Sequence, residues 1–514
     1  MKLKKFIILI TTGILPATIP FIALSCSNKK ENNVKQILIT KDFVENIKKN
    51  LYRYLGEEKF SIKFDDDIEE FYIENIVWKN LIHIDFNNVT KIGGGAFRNA
   101  SSLTSVNMPN VTKIGRGAFG RTSSLTRVNM PNVTEIGDYA FSGASSLTIV
   151  NMPNVTEIGG GAFRNASSLT RVNMPNVTEI GDYAFSGASS LTSVNMPNVT
   201  KIGGGAFGRT SSLTSVNMPN VTEIGDYAFS GASSLTSVNM PNVTEIGGGA
   251  FRNASSLTRV NMPNVTEIGD YAFWGTIYLE KLIQNNSQKL AILNNILING
   301  SIASGKINIP GNVIKISGGA FEGASSLTSV NMPNVTEIGN YAFEGASSLT
   351  EINMPNVTKI GLRAFGNASS LTSVNMPNVT KIGENAFEGA SSLTSVNMPN
   401  VTEIGDYAFS GASSLTSVNM PNVTEIGITE IGDYAFSGAS SLTSVNMPNV
   451  TEIGNYAFEG ASSLTSVNMP NVTEIGRGAF SKTSISFEKS ILPKEITEEI
   501  FNNIKHGSSW SGKN

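Results

Sequence analysis

A unit of 22 residues dominates the sequence and repeats with little change from Leu81 to the region of Thr483. A clean copy is LTSVNMPNVTKIGGGAFGRTSS, from Leu191 to Ser212. Self-similarity at this period is the signature of a solenoid, in which each copy contacts only its neighbours. Burying six large apolar side chains yields roughly 2 kcal/mol each, whereas ordering each residue costs roughly 1.5 kcal/mol. A single copy therefore cannot fold alone, and the repeat predicts a stacked array.

The apolar residues of the unit predict how each coil is built. Apolar and polar residues alternate from Ser193 to Met196, which indicates a short half-buried strand. Pro197 removes a backbone donor and ends the strand, and the glycines after Ile202 mark a second bend. We expect Phe207 to be buried as the plug of the coil. Because Leu-x-x-Val-x-Met has the spacing that opens a leucine-rich repeat, we predict a β-rich leucine-rich-repeat solenoid of the α/β class, with a parallel concave sheet of short strands and a cap at each end.

The start of the chain is typical of an export signal. Three lysines precede an apolar run, Phe6 to Ile22, that Pro16 and Pro20 interrupt. Those prolines and the short run argue against the alternative of a transmembrane helix. The single cysteine, Cys26, follows directly and resembles the cysteine of a bacterial lipobox. That resemblance implies a signal peptide over 1–25 and a diacylglyceryl group on Cys26, followed by a polar, lipid-anchored tether over 26–36.

The rest of the chain divides by how well it keeps the repeat. We predict an N-terminal cap over 37–80, repeats over 81–274, a degenerate repeat with an inserted hairpin over 275–312, repeats over 313–483, and a C-terminal cap and tail over 484–514. The cap includes a helical pattern over Asp42 to Leu55. Within 275–312, Leu279 to Leu282 matches the start of a repeat copy. A hairpin inserted in a continuous coil is the preferred interpretation, and a hinge between two domains is the alternative. At Glu425 to Glu430 a doubled five-residue stretch predicts a loop that bulges outside the strand.

The residue inventory offers little for catalysis. Only two histidines are present, His83 in the first repeat strand and His506 in the tail, so no histidine relay or zinc site is expected. The three carboxylates from Asp65 to Asp67 lack the spaced ligands of a calcium loop. A formal net charge of −3 gives no sign of nucleic-acid binding. We therefore predict no enzyme activity, no cofactor and no metal.

Surface recognition is the remaining kind of function, and the strand positions that face outwards can serve it. One such position is asparagine almost throughout, for which we predict a hydrogen-bonded ladder. The other varies, and arginine there adds contact area and directed hydrogen bonds. The candidate ligand-binding residues are Arg127, Arg171 and Arg259. If the sheet is continuous, the stems of Arg127 and Arg171 lie roughly 10 Å apart. In the alternative without a binding role, these arginines only balance the charge of glutamates elsewhere on the surface.

The ordered combination of strand, Pro, Ile-Gly and Ala-Phe is similar to the repeat of the BspA-like leucine-rich-repeat surface proteins. It runs here from Leu81 to about Thr483, and the N-terminal signal resembles that of mollicute lipoproteins. The resemblance implies a protein on the outer face of the cell membrane that adheres to host matrix or cell-surface proteins. The alternative is a non-adhesive surface coat of variable length that shields the membrane.

The lone cysteine after the signal generates the first prediction. Cys26→Ser should abolish labelling by radioactive fatty acid and leave an unprocessed precursor, because the acceptor sulfur is lost. Metabolic labelling and gel mobility measure the two effects. Normal labelling and normal maturation of the variant would contradict a lipid anchor at Cys26.

Overall fold

The computed structural model describes residues 59–64, 69–71, 78, 80–419 and 430–512, together with the backbone of 35–39. The predicted signal peptide, Cys26, the helix over Asp42 to Leu55, the Asp65–Asp67 stretch and most of the doubled stretch at 425–430 lie outside the described residues. Lys35 and Gln36, which the sequence places in the tether, lie in the first strand.

Contacts along the chain divide it into two compact units. Unit 1 contains the described residues up to Glu267 and Ala272–Tyr278, and unit 2 contains Ile268–Tyr271 and the described residues from Leu279 onward. Each unit is a solenoid of parallel strands with a 22-residue repeat, as the sequence predicts.

A copy consists of two short strands joined by turns. The predicted strand spans three residues, such as Ser193–Asn195, with the central Val194 in the core. A second strand of two residues, such as Lys201–Ile202, follows the Pro-Asn turn and buries its isoleucine. The alternation of apolar residues did not predict this second strand, because Val199 and Ile202 are three positions apart.

The strands of each unit fall into two types, one mostly of three residues and one of two residues. The three-residue strands of unit 1 are β6 (Ser105–Asn107), β8 (Arg127–Asn129), β10 (Ile149–Asn151), β12 (Arg171–Asn173), β14 (Ser193–Asn195), β16 (Ser215–Asn217), β18 (Ser237–Asn239) and β20 (Arg259–Asn261). They follow β1 (Lys35–Ile39), β2 (Phe60–Phe64) and β4 (Leu81–Asp85). The two-residue strands are β3 (Glu70–Phe71), β5 (Lys91–Ile92), β7 (Lys113–Ile114), β9 (Glu135–Ile136), β11 (Glu157–Ile158), β13 (Glu179–Ile180), β15 (Lys201–Ile202), β17 (Glu223–Ile224), β19 (Glu245–Ile246) and β21 (Glu267–Ile268).

Unit 2 repeats the same two types. The longer strands are β24 (Gly305–Asn308), β26 (Leu327–Asn331), β28 (Glu351–Asn353), β30 (Ser373–Asn375), β32 (Ser395–Asn397), β34 (Ser417–Asn419), β36 (Ser444–Asn446) and β38 (Ser466–Asn468). The two-residue strands are β25 (Lys315–Ile316), β27 (Glu337–Ile338), β29 (Lys359–Ile360), β31 (Lys381–Ile382), β33 (Glu403–Ile404), β35 (Glu430–Ile431), β37 (Glu452–Ile453) and β39 (Glu474–Ile475). The unit also contains β22 (Ala291–Leu293), β23 (Ile296–Asn299) and β40 (Trp510–Ser511).

Equivalent residues of successive copies pair in parallel. Val172 is opposite Val194, and Ile158 is opposite Ile180. In unit 1 the two-residue strands form one ten-stranded sheet from β3 to β21. The three-residue strands instead form three sheets, with interruptions after β8 and after β16. In unit 2 both rows are continuous, with eight strands from β24 to β38 and eleven from β22 to β40.

One phenylalanine per copy forms a stack through the core. In unit 1 the rings from Phe97 to Phe273 lie 5.2–5.4 Å apart in near-parallel planes. In unit 2 the rings from Phe321 to Phe480 lie 4.8–5.4 Å apart. Phe207 has no exposed surface, which confirms that it is the plug of its coil. Each ring contacts the copies before and after it, so the core belongs to the array and not to a single copy.

In unit 1, copies with Asp-Tyr before the Ala-Phe pair alternate with copies that carry Gly-Gly there, which makes a larger period of 44 residues, and this alternation has a packing cause. The Tyr183 ring covers Gly205 of the next copy so closely that a Cβ on Gly205 would lie 2.6 Å from Cδ1 and Cε1 of the ring. The preceding Asp182 accepts a hydrogen bond from the Gly204 amide at 2.7 Å. In unit 1 the tyrosine of one copy therefore packs on the glycine of the next, whereas in unit 2 the rings of Tyr407, Tyr434 and Tyr456 stack on one another at 4.8 and 5.0 Å.

The stretch 275–312 differs from its prediction in one part. Leu279 to Leu282 was predicted to start a repeat copy, and this was wrong, because the structure has a helix α1 over Ile277–Asn285. Leu279 and Leu282 are one helical turn apart, and the Val-x-Met-Pro that would continue a strand is missing. After the helix, β22 and β23 pair in antiparallel fashion as a hairpin.

Aromatic side chains close both ends of the described repeats. At the start of unit 1, Phe71 stacks on Phe97 at 5.2 Å, and the Trp78 indole N–H donates to the Ala96 carbonyl at 2.8 Å. At the end of unit 2, helix α2 (Glu498–Lys505) buries Phe501, and β40 pairs antiparallel with β39. These contacts cover core that would otherwise face water at the ends of a repeat array.

The Tyr183–Gly205 contact generates a prediction with an adjacent control. Gly205→Ala should destabilise unit 1 by about 1–3 kcal/mol, because φ at Gly205 is +61° and the methyl group meets the Tyr183 ring. Gly204→Ala should be neutral within about 0.5 kcal/mol, because its methyl group meets nothing nearer than 3.5 Å. Denaturant titration measures both, and equal losses for the two variants would contradict the packing explanation.

Candidate functional site

The first residue of each three-residue strand points away from the core and forms what we call the strand face. In β12, for example, Val172 is buried while Arg171 is exposed. The three sequence-predicted arginines, Arg127, Arg171 and Arg259, are all exposed on this face. The strand face of unit 1 is therefore where residue identity can vary without altering the core.

The structure does not place these arginines on one continuous sheet. Arg127 lies in β8, the last strand of a five-stranded sheet, whereas Arg171 lies in the four-stranded sheet that begins with β10. Arg259 lies in a separate pair with β18. The expected separation of roughly 10 Å between the stems of Arg127 and Arg171 assumed continuous pairing. That assumption was wrong, because the sheet is interrupted between β8 and β10.

Apolar side chains lie exposed or half-buried beside the interruption between β8 and β10. Ile149, at the start of β10, is 56% exposed. Val128 of β8 is half-buried, whereas the equivalent Val172 is 1% exposed. Arg127 and Arg171 lie on the two sides of this apolar opening, which we call the β8–β10 gap. Ile149 occupies the same outward position as the arginines, but its place beside the gap could not be predicted, because the interruption of the sheet leaves no mark in the repeat.

The charges of the three arginines are not neutralised within the described part of the protein. No carboxylate of a described residue lies within 4.0 Å of Arg127, Arg171 or Arg259. The ion pairs of unit 1 lie on the two-residue strands, as for Lys113 with Glu135 at 2.6 Å. These contacts do not support the alternative in which the three arginines only balance the charge of glutamates.

Asparagines next to the strand face have a structural role. Asn173 donates from Nδ2 to Oδ1 of Asn151 at 2.9 Å, and Asn195 donates to Asn173 at 3.0 Å. The predicted asparagine ladder is therefore present. The asparagine after each proline also bonds to the preceding copy, as when Asn176 donates to the Pro153 carbonyl at 2.9 Å.

Glutamates and lysines line the opposite row of two-residue strands. Glu135, Glu157 and Glu179 pair in register as the predicted ridge. Lys201 bonds Glu223 at 2.8 Å, and this hydrogen bond, with the charge of Glu223, raises the pKa of Lys201. These exposed pairs reduce the repulsion along the ridge and add little stability.

Aromatic and basic residues lie around the turns that flank each core phenylalanine, on a surface that we call the turn face. Tyr139 is 39% exposed and Tyr183 is 50% exposed. The guanidinium of Arg116 lies 5.7 Å from the Tyr139 ring centre, and that of Arg164 lies 5.8 Å from the ring centre of Tyr183. Such cation–π contacts orient the arginines without cancelling their charge.

The described residues contain little that could perform chemistry. Among them, no group of three or more His, Cys, Asp and Glu side chains is arranged to hold a metal ion. His83, in the first repeat strand, is half-buried, and its Nδ1 forms a 2.7 Å hydrogen bond with the Ser105 hydroxyl. No helix in the described part of the chain has the length and hydrophobicity needed to cross a membrane.

Several solved bacterial structures are similar to this chain. A leucine-rich repeat protein from Bacteroides ovatus is 22% identical, with 88% of this chain and 94% of that chain covered and a TM-score of 0.34. One from Eubacterium ventriosum is 25% identical, with coverages of 65% and 86% and a TM-score of 0.38. A leucine rich cell surface protein from Faecalibacterium prausnitzii is 23% identical, with coverages of 77% and 92% and a TM-score of 0.27. No curated protein matches the sequence.

A family profile covers almost all of the repeats. The profile described as BspA type leucine rich repeat region (6 copies) matches residues 66–192, 178–301, 294–402 and 380–506. These ranges contain both rows of short strands and the phenylalanine stacks of the two units. The chain therefore belongs to the BspA-type leucine-rich repeat family.

Proposed function

We propose that this protein is a lipid-anchored bacterial surface protein that recognises other proteins through the β8–β10 gap, and that its partners are host matrix or cell-surface proteins. The observation that carries the proposal is the exposed Ile149 with the half-buried Val128, between two arginines without ion-pair partners. Leucine-rich repeats of this family are scaffolds, and their long surfaces suit binding of macromolecules.

The chemistry of the gap favours a protein partner with an acidic surface. Protein interfaces derive most of their energy from a few buried apolar or arginine side chains at the centre. Ile149 offers the apolar contact, and the guanidinium groups of Arg127 and Arg171 can each form paired hydrogen bonds with a carboxylate. A partner would therefore place an apolar side chain on Ile149, with carboxylates on both sides.

The second interruption, between β16 and β18, offers a comparison within the same unit. The residues there are Ser215 and Ser237, and Val216 is half-buried like Val128. Here the Thr236 amide still donates to the Thr214 carbonyl at 3.3 Å, and the opening has neither the arginines nor an exposed isoleucine. Recognition thus depends on the side chains of the β8–β10 gap rather than on the interruption itself.

Anchoring on the outer face of the membrane rests on the first residues of the sequence. The basic start, the apolar run and Cys26 form the pattern of a lipoprotein signal. One lipid chain holds a protein only weakly, whereas two chains make attachment stable. A diacylglyceryl group on Cys26 would supply both.

A protective coat is the second candidate, and the self-contained polar surface supports it. Exposed threonine hydroxyls bond to the preceding copy instead of remaining free, as when Thr126 donates to the Thr104 carbonyl at 3.0 Å. The asparagine ladder uses its amides in the same way. Such a surface has few unsatisfied groups with which to capture a partner, so copies could be added without creating new binding sites.

Replacing the three arginines tests the recognition site. The variant Arg127→Ser, Arg171→Ser, Arg259→Ser should weaken capture by immobilised matrix proteins several-fold and flatten its salt dependence. Its fold should persist, because neighbouring copies carry serine at this position. The measurement is surface plasmon resonance at several salt concentrations, with circular dichroism to check the fold.

Two further variants separate the possible outcomes. Ile149→Ser should weaken capture without changing its salt dependence, because it removes apolar contact but no charge. The change of Tyr139, Tyr183 and Tyr227 to glycine, the residue of alternate copies, should leave capture intact. Capture that survives the arginine change and is lost with the tyrosines would place the site on the turn face, and no capture by any matrix protein would favour the coat.

A further inference from the structure

We propose that unit 1 has a second binding site, a groove on the turn face that binds a sulfated polysaccharide chain. The groove encloses about 1090 Å³ and contains four arginine side chains. They are Arg98, Arg116, Arg121 and Arg164, which we call the arginine groove. This site is separate from the β8–β10 gap, because its residues belong to the turns around the core phenylalanines and not to the three-residue strands.

Stacking of the copies sets the spacing of the arginine groove. Arg98 and Arg164 directly follow Phe97 and Phe163, so they occupy the same position in copies three steps apart. Each step of the phenylalanine stack between them is 5.2–5.4 Å. Arg116 and Arg121 flank Phe119 in the copy after Arg98. The positive charges therefore extend along the solenoid, which suits an extended ligand better than a single small anion.

The arginine groove carries uncompensated positive charge. All four side chains are exposed, and no described carboxylate lies within 4.0 Å of them. No acidic residue lines the groove. The neighbouring Asp138 already accepts a hydrogen bond from the Gly160 amide at 2.8 Å. Four guanidinium groups without carboxylate partners attract an anionic ligand.

The equivalent surface of unit 2 has the opposite character. There the residue after the core phenylalanine is often glutamate, as in Glu322, Glu344 and Glu388. These glutamates have partners, since Arg363 lies 3.7 Å from Glu344 and 2.7 Å from Glu388, and Tyr271 donates to Glu322 at 2.6 Å. The repeat itself thus does not require unpaired arginines, and their concentration in unit 1 calls for a separate reason.

Two of the arginines have distinctive local geometry: Arg121 adopts a left-handed backbone conformation, and Arg116 stacks on an aromatic ring. Arg121 has a φ of +59°, in the left-handed region that the equivalent Asn99 and Asn165 also occupy. Asparagine tolerates this conformation, whereas arginine there costs roughly 1 kcal/mol. Arg116 lies over the Tyr139 ring. Arg209 adopts the same conformation at +59° outside the groove, so this conformation belongs to the repeat.

The floor of the groove favours a sugar chain over an acidic protein. Its lining includes Gly94, Gly95, Gly117 and Gly143, with the polar side chains of Asn99, Ser142 and Asn165 and the ring of Tyr139 beside the arginines. A sulfated polysaccharide presents hydroxyl groups to the polar floor and oxyanions to the guanidinium forks.

The test measures binding of a heparin-derived oligosaccharide by calorimetry, with the same oligosaccharide after removal of its sulfate groups as the comparison. The variant Arg98→Ser, Arg121→Asn, Arg164→Ser carries residues found at these positions in other copies, so its fold should persist. We expect affinity to fall by about tenfold or more. The plot of log affinity against log salt has a negative slope, and its magnitude should decrease by about two to three, because fewer counterions are released.

The strand-face variant Arg127→Ser, Arg171→Ser, Arg259→Ser is the matched control, since it also removes three positive charges but from another surface. It should bind the oligosaccharide like the unmodified protein. Equal losses in the two variants would show attraction to overall charge and overturn the proposal, as would unchanged binding by the groove variant. Equal binding of desulfated oligosaccharide, single-stranded DNA or a polyglutamate peptide would also overturn it.

Discussion

The stack of phenylalanine rings is the interaction on which the rest of the structure depends. Fully burying one phenylalanine side chain stabilises a fold by roughly 1.5–3 kcal/mol, and a favourable ring–ring contact adds roughly 0.5–1.5 kcal/mol. Phe207 receives both only because Phe185 and Phe229 lie on either side, at 5.3 and 5.2 Å. The backbone follows the same rule, since the Phe207 amide donates to the Ala228 carbonyl of the next copy at 2.7 Å. Folding is therefore a property of neighbouring copies, which explains why the apolar positions barely vary.

A core shared in this way leaves the outward positions free to change. At the start of the three-residue strand the chain tolerates Ser193, Arg171 or Ile149 above the same buried valine. The turn face shows the same freedom, since arginine in unit 1 is replaced by glutamate in unit 2. The asparagine ladder sets the limit, because Asn173 needs an amide partner in both neighbouring copies. The proposed sites lie where the copies differ, on a frame that remains the same.

Features that recur in every copy could be predicted from the sequence, whereas features that occur once could not. The 22-residue period, the strand with alternating residues, the buried Phe207 and the asparagine ladder follow from the unit itself. The helix α1 replaced an expected copy because two leucines matched the start of the repeat without its later residues. The interruption after β8 could not be predicted, since the copies on both sides keep the buried residues of the repeat. The arginine groove was missed because Arg98, Arg116 and Arg121 occupy three different positions of the unit, and only the turns bring them together.

Hydrogen exchange of the Phe207→Ala variant tests most directly whether stability is shared between neighbours. Removing the ring should cost roughly 3–5 kcal/mol, because it leaves a cavity between two stacked rings. The account predicts faster exchange in the copies that contain Phe185, Phe207 and Phe229, while amides near Phe119 keep their protection. A uniform loss of protection across unit 1 would contradict it, because the unit would then unfold as one cooperative body and not through contacts between adjacent copies.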